Sequence, residues 1–412
     1  MLTQEQQKAH DFGINFLEGN VLIDPVLHTP RKYITIGGYA GTGKTYVITE
    51  IAKTIKKKWR RYDTAFVTFT GKASSILRNR LYEQGIVDDT DHIGTIHSLI
   101  YKPKMIYNTK LHKFVMVGWT LKDDLTCDFI LIDEASMVSK DIWHDLLSFD
   151  KPIIAVGDHG QLPPVGDDFK LLNSPDYELK TVHRQAENSP IIKLSKFIRQ
   201  NGYIPKVVVS KKVFKLEWGH PDCTRLWNSI EFDESVVALC GFNYSRVMLN
   251  QMIRKRIDFT KPDPYPGERI ICLANNRETK IMNGQMGTVL WLIPYDKHTY
   301  RITMQLDGVI EPYEGIVHDG CFNKVQYDLW TNKKDKDSKE LLKHITRDGF
   351  SKLDYFDFGY ATSVHKSQGS EWNKVVLFEQ RSQYWDDEYY QRWLYTAVTR
   401  AIDKLFIISG FY

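Results

Sequence analysis

The sequence predicts an α/β protein with two parallel-sheet domains, a β-hairpin inserted in the first and a small β-barrel module in the second. Three observations carry this reading. Over the first third of the chain, apolar β-prone runs alternate with amphipathic stretches: 33–37, a helix from about 44, 65–70, then a helix through 81. That is the β-α-β rhythm of a parallel sheet covered by helices. Buried-type runs at 129–132 and 153–156 each lead straight into a polar turn, and similar strands return at 358–362, 374–378 and 405–409. Between 264 and 315 the texture changes to short strands separated by Gly turns, the spacing of a small barrel.

The 412 residues exceed one ordinary domain, at ~150 residues per domain. The expected division is 1–180 and 181–412, with the hairpin at about 100–120 and the barrel insertion at about 262–350. Within the hairpin, β-prone runs flank residues 108–110; beyond it come a helix around 191–199, a strand at 236–241 and a helix at 245–257. The charged run at 333–340 reads as a solvated loop or helix end. Hydrophobic residues make up 42% and charged residues 26%, a globular rather than disordered composition. No apolar run reaches the ~20 residues of a membrane span, and the first residues lack the pattern of a signal peptide. A cytoplasmic protein without a membrane partner is the expectation. Five scattered cysteines without a C-x-x-C pair indicate neither a disulfide framework nor a zinc site. A net charge of +4 allows nucleic-acid binding without demanding it.

The strongest motif is Gly38-Tyr39-Ala40-Gly41-Thr42-Gly43-Lys44-Thr45, which fits G-x-x-x-x-G-K-T between a predicted strand and a predicted helix. Its glycines let backbone N–H groups surround phosphates, Lys44 faces the β- and γ-phosphates, and the Thr45 hydroxyl suits Mg²⁺. The run FILIDEASM delivers Asp133 and Glu134 to a strand end. Such a pair alone is as readily structural as functional; after a phosphate loop it reads as a Walker B site. Asp133 would then hold Mg²⁺ directly or through water, and Glu134 would orient and deprotonate the attacking water. In IIAVGDHGQLPPV, Gln161 can donate to the γ-phosphate and accept from water, although the segment also reads as a proline-rich surface turn. ATP and Mg²⁺ are thus the expected cofactors. Two downstream arginines, Arg184 in LKTVHRQ and Arg400 in LYTAVTRA, would complete the site if the fold brings them to it, because guanidinium groups stabilise a transferring phosphoryl.

In chain order, LTQEQQ, GYAGTGKT, TFTGKAS, GTIHSLI, LIDEASM, GDHGQLPPV, VHRQ, YATSVHKSQGSEW and LYTAVTRA resemble the Q motif through motif VI of superfamily 1 helicases. QLPPV and VHKSQGSE are similar to the forms of the RecD-like and Dda-like branch, and the likeness spans nearly the whole chain. The resemblance implies two RecA-like domains with ATP in the cleft between them. It implies that Arg184 and Arg400 act across that cleft, that Gln6 reads the adenine, and that Gly369 and Glu371 complete the ATP-binding set. His183 stands where the family more often has a tyrosine stacked on the base. Thr70, Lys72, Thr95, His97, Thr362, His365 and Lys366 fall in motifs that touch single-stranded DNA. The barrel falls where the branch carries an SH3-like domain. The hairpin falls where it carries a strand-separation wedge, with Phe114, Met116 or Trp119 as the apolar face. The implied function is a monomeric 5′-to-3′ DNA helicase acting on single-stranded and forked duplex DNA, with replication or recombination proteins as partners. An RNA or ribonucleoprotein translocase competes with this, as does a P-loop ATPase serving as a loading or switch factor.

Overall fold

The computed structural model describes residues 2–19, 22–23, 28–108, 113–164, 169–182, 188–206, 210–274, 276, 279, 281–296, 299–309, 311–324 and 353–411. The charged run at 333–340 lies outside them. The chain divides into two compact units, Met1–Lys193 and Leu194–Tyr412.

The first unit opens with α1 (Gln4–Leu17), started by a capping box in which the Thr3 hydroxyl accepts from Gln6 N and the Gln6 side chain accepts from Thr3 N. A short antiparallel ribbon of β1 (Leu22–Ile23) and β2 (Pro30–Arg31) follows. Then come β3 (Tyr33–Gly38), α2 (Lys44–Lys58), β4 (Thr64–Thr68), α3 (Gly71–Glu83), β5 (His92–Thr95) and α4 (Ile96–Ile100). The antiparallel hairpin is β6 (Tyr101–Asn108) with β7 (Lys113–Leu121). The unit continues through β8 (Phe129–Asp133), α5 (Lys140–Leu147), β9 (Ile153–Gly157) and β10 (Tyr177–Leu179). Its sheet has the order β10-β3-β9-β8-β4-β5, and every pairing is parallel.

All residues of β4, β8 and β9 are buried, because helices cover both faces. The pleat sends alternate side chains to opposite cores. Ile34, Ile36, Phe66, Leu131, Ile154 and Val156 pack with α1, α2 and α3, whereas Ala65, Val67, Ile130, Ile132, Ile153 and Ala155 pack with α4 and α5. Each buried Ile or Phe contributes about 1.5–3 kcal/mol, so the double-sided sheet is the rigid part of the unit.

α6 (Pro190–Asn201) spans the division between the units. The second unit contains β11 (Val213–Glu217), α7 (Pro221–Ser229), β12 (Val236–Cys240), α8 (Asn243–Arg256), β13 (Arg269–Cys272), β14 (Met286–Asp296), β15 (Thr299–Leu306) and β16 (Tyr313–His318). After these come β17 (Phe356–Phe358), β18 (Ala361–Ser363), β19 (Trp372–Phe378), α9 (Asp387–Val398) and β20 (Ala401–Ser409). One sheet, β11-β20-β19-β12-β18, is wholly parallel.

The other sheet is antiparallel, β16-β15-β14-β13-β17. A bridge between Val317 and Asp354 brings the approach to β17 against β16, with Asp354 N donating to Ile316 O at 2.7 Å, and so closes the strands into a barrel. The Asp354 carboxylate locks the closure, accepting from the hydroxyls of Tyr313 and Thr279 and from Asn276 Nδ2. Barrel and parallel sheet share one hydrophobic core: Ile270, Val289, Ile302 and Phe356 pack in the same cluster as Val236, Ala238, Leu249 and Val376. The barrel is therefore fused to the sheet rather than tethered to it. All five cysteines are buried and free. No helix among the described residues is long and apolar enough to cross a membrane.

Candidate functional site

Leaving β3, the chain turns tightly around the carbonyl of Tyr39. Thr42 N and Thr42 Oγ1 donate to that oxygen at 3.3 and 2.8 Å, and Lys44 Nζ donates to it at 3.1 Å. Gly41 and Gly43 take left-handed φ values of 83° and 81°, which glycine adopts without strain. A side chain at Gly38 would place its Cβ 2.6 Å from Thr42 Oγ1. Gln6 is buried against the loop, its Nε2 donating to Thr42 O at 3.2 Å, so the capping box of α1 also orients the residue expected to meet a base. The loop opens onto the positive end of α2, whose first turn carries no acidic residue.

Because β3, β9, β8, β4 and β5 run in the same direction, their carboxyl ends form one edge. On it, Thr68 pairs with Asp133 on one side and with Thr95 on the other. Asp133 accepts from Glu134 N at 2.9 Å and from the Thr45 hydroxyl. Burial pushes its pKa above the usual carboxylate value, opposed by the Glu134 N–H, by Lys44 and Arg80, and by the Thr45 hydroxyl. A divalent cation beside Thr45 and Asp133 would restore the ionised form that burial disfavours, so these residues fit Mg²⁺. Among the described residues no three His, Cys, Asp or Glu side chains gather into a metal cage, and an ion shared with phosphate oxygens and water needs none. Glu134 has φ 55°, a strained conformation for a residue other than glycine, and it turns the chain away from the sheet into a short 3₁₀ turn.

Asp158, fully buried at the end of β9, is a site residue to which no local motif assigns a role. Its carboxylate accepts from Gly160 N at 2.9 Å and Gln161 Nε2 at 3.4 Å, and Lys44 Nζ stands 3.6 Å away. One carboxylate thus faces both the loop lysine and the candidate sensor glutamine. Its signal in the sequence was its place three residues before Gln161 in the same polar strand-end loop. The His159 ring lies 4.1 Å from that of Tyr39, and a Cβ at Gly157 would sit 2.9 Å from Ala135 N. The ring contact holds the β9 loop against the phosphate loop, and the missing side chain at Gly157 lets β9 lie close to the turn after β8.

Thr70 and Thr95 are the N-caps of α3 and α4, their hydroxyls accepting from Ala73 N at 3.3 Å and Ser98 N at 3.2 Å. A hydroxyl that accepts in a cap still has its own proton to donate. Lys72 is half-buried in the first turn of α3. The His97 ring contacts Tyr101 at 4.5 Å and meets Trp119 edge-on at 4.5 Å, which joins a candidate strand contact to the hairpin. Along the hairpin, Phe114 pairs with Tyr107, Met116 with Met105 and Trp119 with Pro103. The irregularity at this point leaves Val117 as an extra residue that keeps the three positions on one parity of the ribbon. Trp119 is 42% exposed; the side chains of Phe114 and Met116 lie outside the described residues.

In the second unit Thr362 is buried on β18, and its Oγ1 has no hydrogen-bond partner among the described residues. His365 Nε2 is 2.6 Å from Tyr389 Oη, and burial holds its pKa below the ordinary histidine value. Lys366 and Glu371 are exposed, and Gly369 has φ 72°. Arg400 is buried and donates to Thr396 O, Ser370 O and Thr399 Oγ1 at 3.0, 3.2 and 3.1 Å, which among the described residues leaves two of its five N–H groups for another acceptor. His183 and Arg184 lie outside the described residues.

Residues 26–167 match the family described as an AAA domain, and 358–408 match the UvrD-like helicase C-terminal domain. The RecBCD enzyme subunit RecD of Buchnera aphidicola subsp. Schizaphis graminum is 30% identical, over 93% of this chain and 71% of that protein. The ATP-dependent RecD2 DNA helicase of Deinococcus radiodurans is 23% identical over 91% of this chain and 47% of its own length. The chain thus spans about half the length of that relative, and 36% of an uncharacterised protein of Methanocaldococcus jannaschii. Among solved structures, a Bacteroides Pif1 helicase in complex with ADP-AlF3 and ssDNA superposes with a TM-score of 0.55 at 17% identity, covering 100% of this chain and 93% of that one. The Candida albicans Pif1 helicase gives 0.52 at 17% identity, covering 100% and 95%. At that identity the likeness is one of fold, and it makes the two parallel sheets RecA-like domains. With the motifs in order along the whole chain and a RecD relative matched over most of its length, the chain belongs to the RecD-like family of superfamily 1 helicases.

Proposed function

We propose that the chain is an ATP-dependent DNA helicase that moves 5′ to 3′ along single-stranded DNA and opens forked duplexes. One observation supports the reading: residues suited to the nucleotide and residues suited to a strand backbone stand at the ends of neighbouring strands of one sheet. Phosphate loop, acids and Gln161 occupy the ends of β3, β8 and β9, while Thr70 and Thr95 stand at the ends of β4 and β5, with Thr68 paired between Asp133 and Thr95. A change at the nucleotide has a short covalent and hydrogen-bonded path to a strand-gripping group.

In this proposal Lys44 and the loop N–H groups bind the β- and γ-phosphates, Glu134 takes the proton of the attacking water, and Gln161 registers the γ-phosphate. Thr45 and Asp133 would hold Mg²⁺, which supplies neutralisation of phosphate charge when bound. Gln6, His183, Arg184, Gly369, Glu371 and Arg400 take the nucleotide roles the family resemblance implies. Thr70, Lys72, Thr95, His97, Thr362, His365 and Lys366 grip the strand through its backbone, a contact that carries no sequence preference. Direction, monomeric state and replication or recombination partners rest on the family resemblance.

Two duplexes that differ only in carrying a 5′ or a 3′ single-stranded tail test the proposal. The chain is expected to open the 5′-tailed duplex and leave the 3′-tailed one closed. Opening of the 3′-tailed duplex alone would reverse the direction. Strand-stimulated hydrolysis with neither duplex opened would favour a loading or switch ATPase, and stronger stimulation by matched RNA would favour an RNA translocase.

The wedge is tested at Trp119, whose half-exposed ring is braced by His97. Trp119→Ala is expected to lower the number of base pairs opened per ATP hydrolysed several-fold, read from unwinding and hydrolysis on the same forked substrate. An unchanged ratio would remove Trp119 from the wedge.

A further inference from the structure

At the end of β12 the chain leaves the sheet through Gly241 and Phe242, which is the N-cap of α8 and has no side-chain cap bond. Phe242 is the middle member of a ring stack. Tyr244 lies 5.5 Å from it at an interplanar angle of 10°, and Trp385, from the segment between β19 and α9, lies 5.6 Å away at 23°. Trp385 continues to Tyr389 at 5.4 Å and to the buried Trp393 at 5.6 Å.

The stack is held from several sides. Gln380 is buried and clamps the loop, its Oε1 accepting from Gly241 N at 2.9 Å and its Nε2 donating to Ser245 Oγ at 2.8 Å. A Cβ at Gly241 would stand 3.2 Å from Trp385 Cη2, so glycine lets the indole approach the backbone. Yet the outer end is open: Tyr244 is 49% exposed. The cluster thus aligns three near-parallel rings and leaves the terminal member half in water.

We infer that Tyr244, backed by Phe242 and Trp385, is a stacking platform for a nucleobase of the bound single strand. The inference rests on the strand-translocating reading above and adds to it a contact with bases. Continuity with the candidate strand-binding residues supports this occupant: Tyr389, which packs on Trp385, is hydrogen-bonded to His365, and the exposed residue Lys366, whose ammonium is partly desolvated, follows. A cation and hydroxyl groups for the phosphates beside a planar ring for the base is the combination that sequence-indifferent single-strand binding uses, since every base has a π-face. The ring lies in a preformed stack, so binding orders little that is not already ordered.

Anisotropy titrations of the full chain with oligothymidylate and with an abasic strand of the same length test the platform. The unaltered chain is expected to bind oligothymidylate more tightly than the abasic strand. Tyr244→Ala is expected to lose about tenfold in affinity for oligothymidylate while keeping its affinity for the abasic strand, and Tyr244→Phe is expected to restore the difference. Unchanged binding of both strands by Tyr244→Ala, or an equal loss on both, would overturn the platform. If the unaltered chain bound neither strand, the translocase reading would fall and the platform with it.

Discussion

Lys44→Ala is expected to lower strand-stimulated ATP hydrolysis by at least roughly 10²–10³-fold, the cost of removing one preorganised charge from a phosphoryl-transfer site. The side chain is mostly buried, and its ammonium rests between the Tyr39 carbonyl and the Asp158 carboxylate. Those contacts are weak enough to exchange: 3.1 Å to a neutral carbonyl and 3.6 Å to a carboxylate that also accepts from Gly160 N and Gln161 Nε2. A γ-phosphate offers a stronger partner. Alanine removes that partner's cation from a loop that already packs tightly around Tyr39, so nucleotide affinity should fall together with turnover. Asp158 keeps the Gly160 N and Gln161 Nε2 donors, and the loop keeps its turn through Gly41 and Gly43, so the variant should fold. Turnover at saturating strand, nucleotide binding and the melting temperature are the measurements. Turnover within tenfold of the unaltered chain, at equal stability, would refute the assignment.

The parallel sheets were legible because their central strands are buried on both faces and therefore read as unbroken apolar runs, as from Phe129 to Ile132. The run at 358–362 shows where this signal stops. Sequence treats it as one strand, but the chain ends β17 at Phe358 in the antiparallel barrel and begins β18 at Ala361 in the parallel sheet. Gly359 makes the change of sheet possible, since a Cβ there would stand 2.9 Å from Ile270 C. Nothing in local periodicity separates two buried three-residue strands joined by two buried residues. The Gly-turn spacing likewise gave the barrel strands, whereas closure depends on Asp354 meeting Tyr313, Asn276 and Thr279, a convergence with no local pattern.

The candidate site divides in the same way. Its glycines, lysine and acids follow one another within motifs and could be read directly. Asp158 acquires its meaning only when β9 pairs with β3 and sets its carboxylate beside Lys44. The link between His97 and Trp119 needs the hairpin folded back along its irregular register. The stack of Tyr244, Phe242 and Trp385 needs β12 and β19 to be neighbours in the second sheet.

Glu134→Gln is expected to separate binding from turnover, in contrast to the lysine variant. Glutamine preserves the shape of the side chain and its capacity to hold a water, but it cannot accept the proton. Hydrolysis should therefore slow by roughly 10²–10⁴-fold, the usual contribution of a positioned base, while nucleotide binding persists. The backbone gives this prediction its sharpness. Glu134 sits at φ 55° immediately after Asp133, with its N–H bonded to the Asp133 carboxylate. This fixes the direction in which the longer acid leaves the sheet independently of its own charge. Changing carboxylate to amide then alters protonation chemistry without moving the main chain or disturbing the Thr45 and Asp133 pair. Because the nucleotide is held but not consumed, the variant should also remain bound to a single strand in the presence of ATP for far longer than the unaltered chain. Single-turnover hydrolysis and ATP-dependent strand dissociation measure the two halves. A slowing of less than threefold would place the base on another residue, and loss of nucleotide binding would make Glu134 part of the binding surface instead.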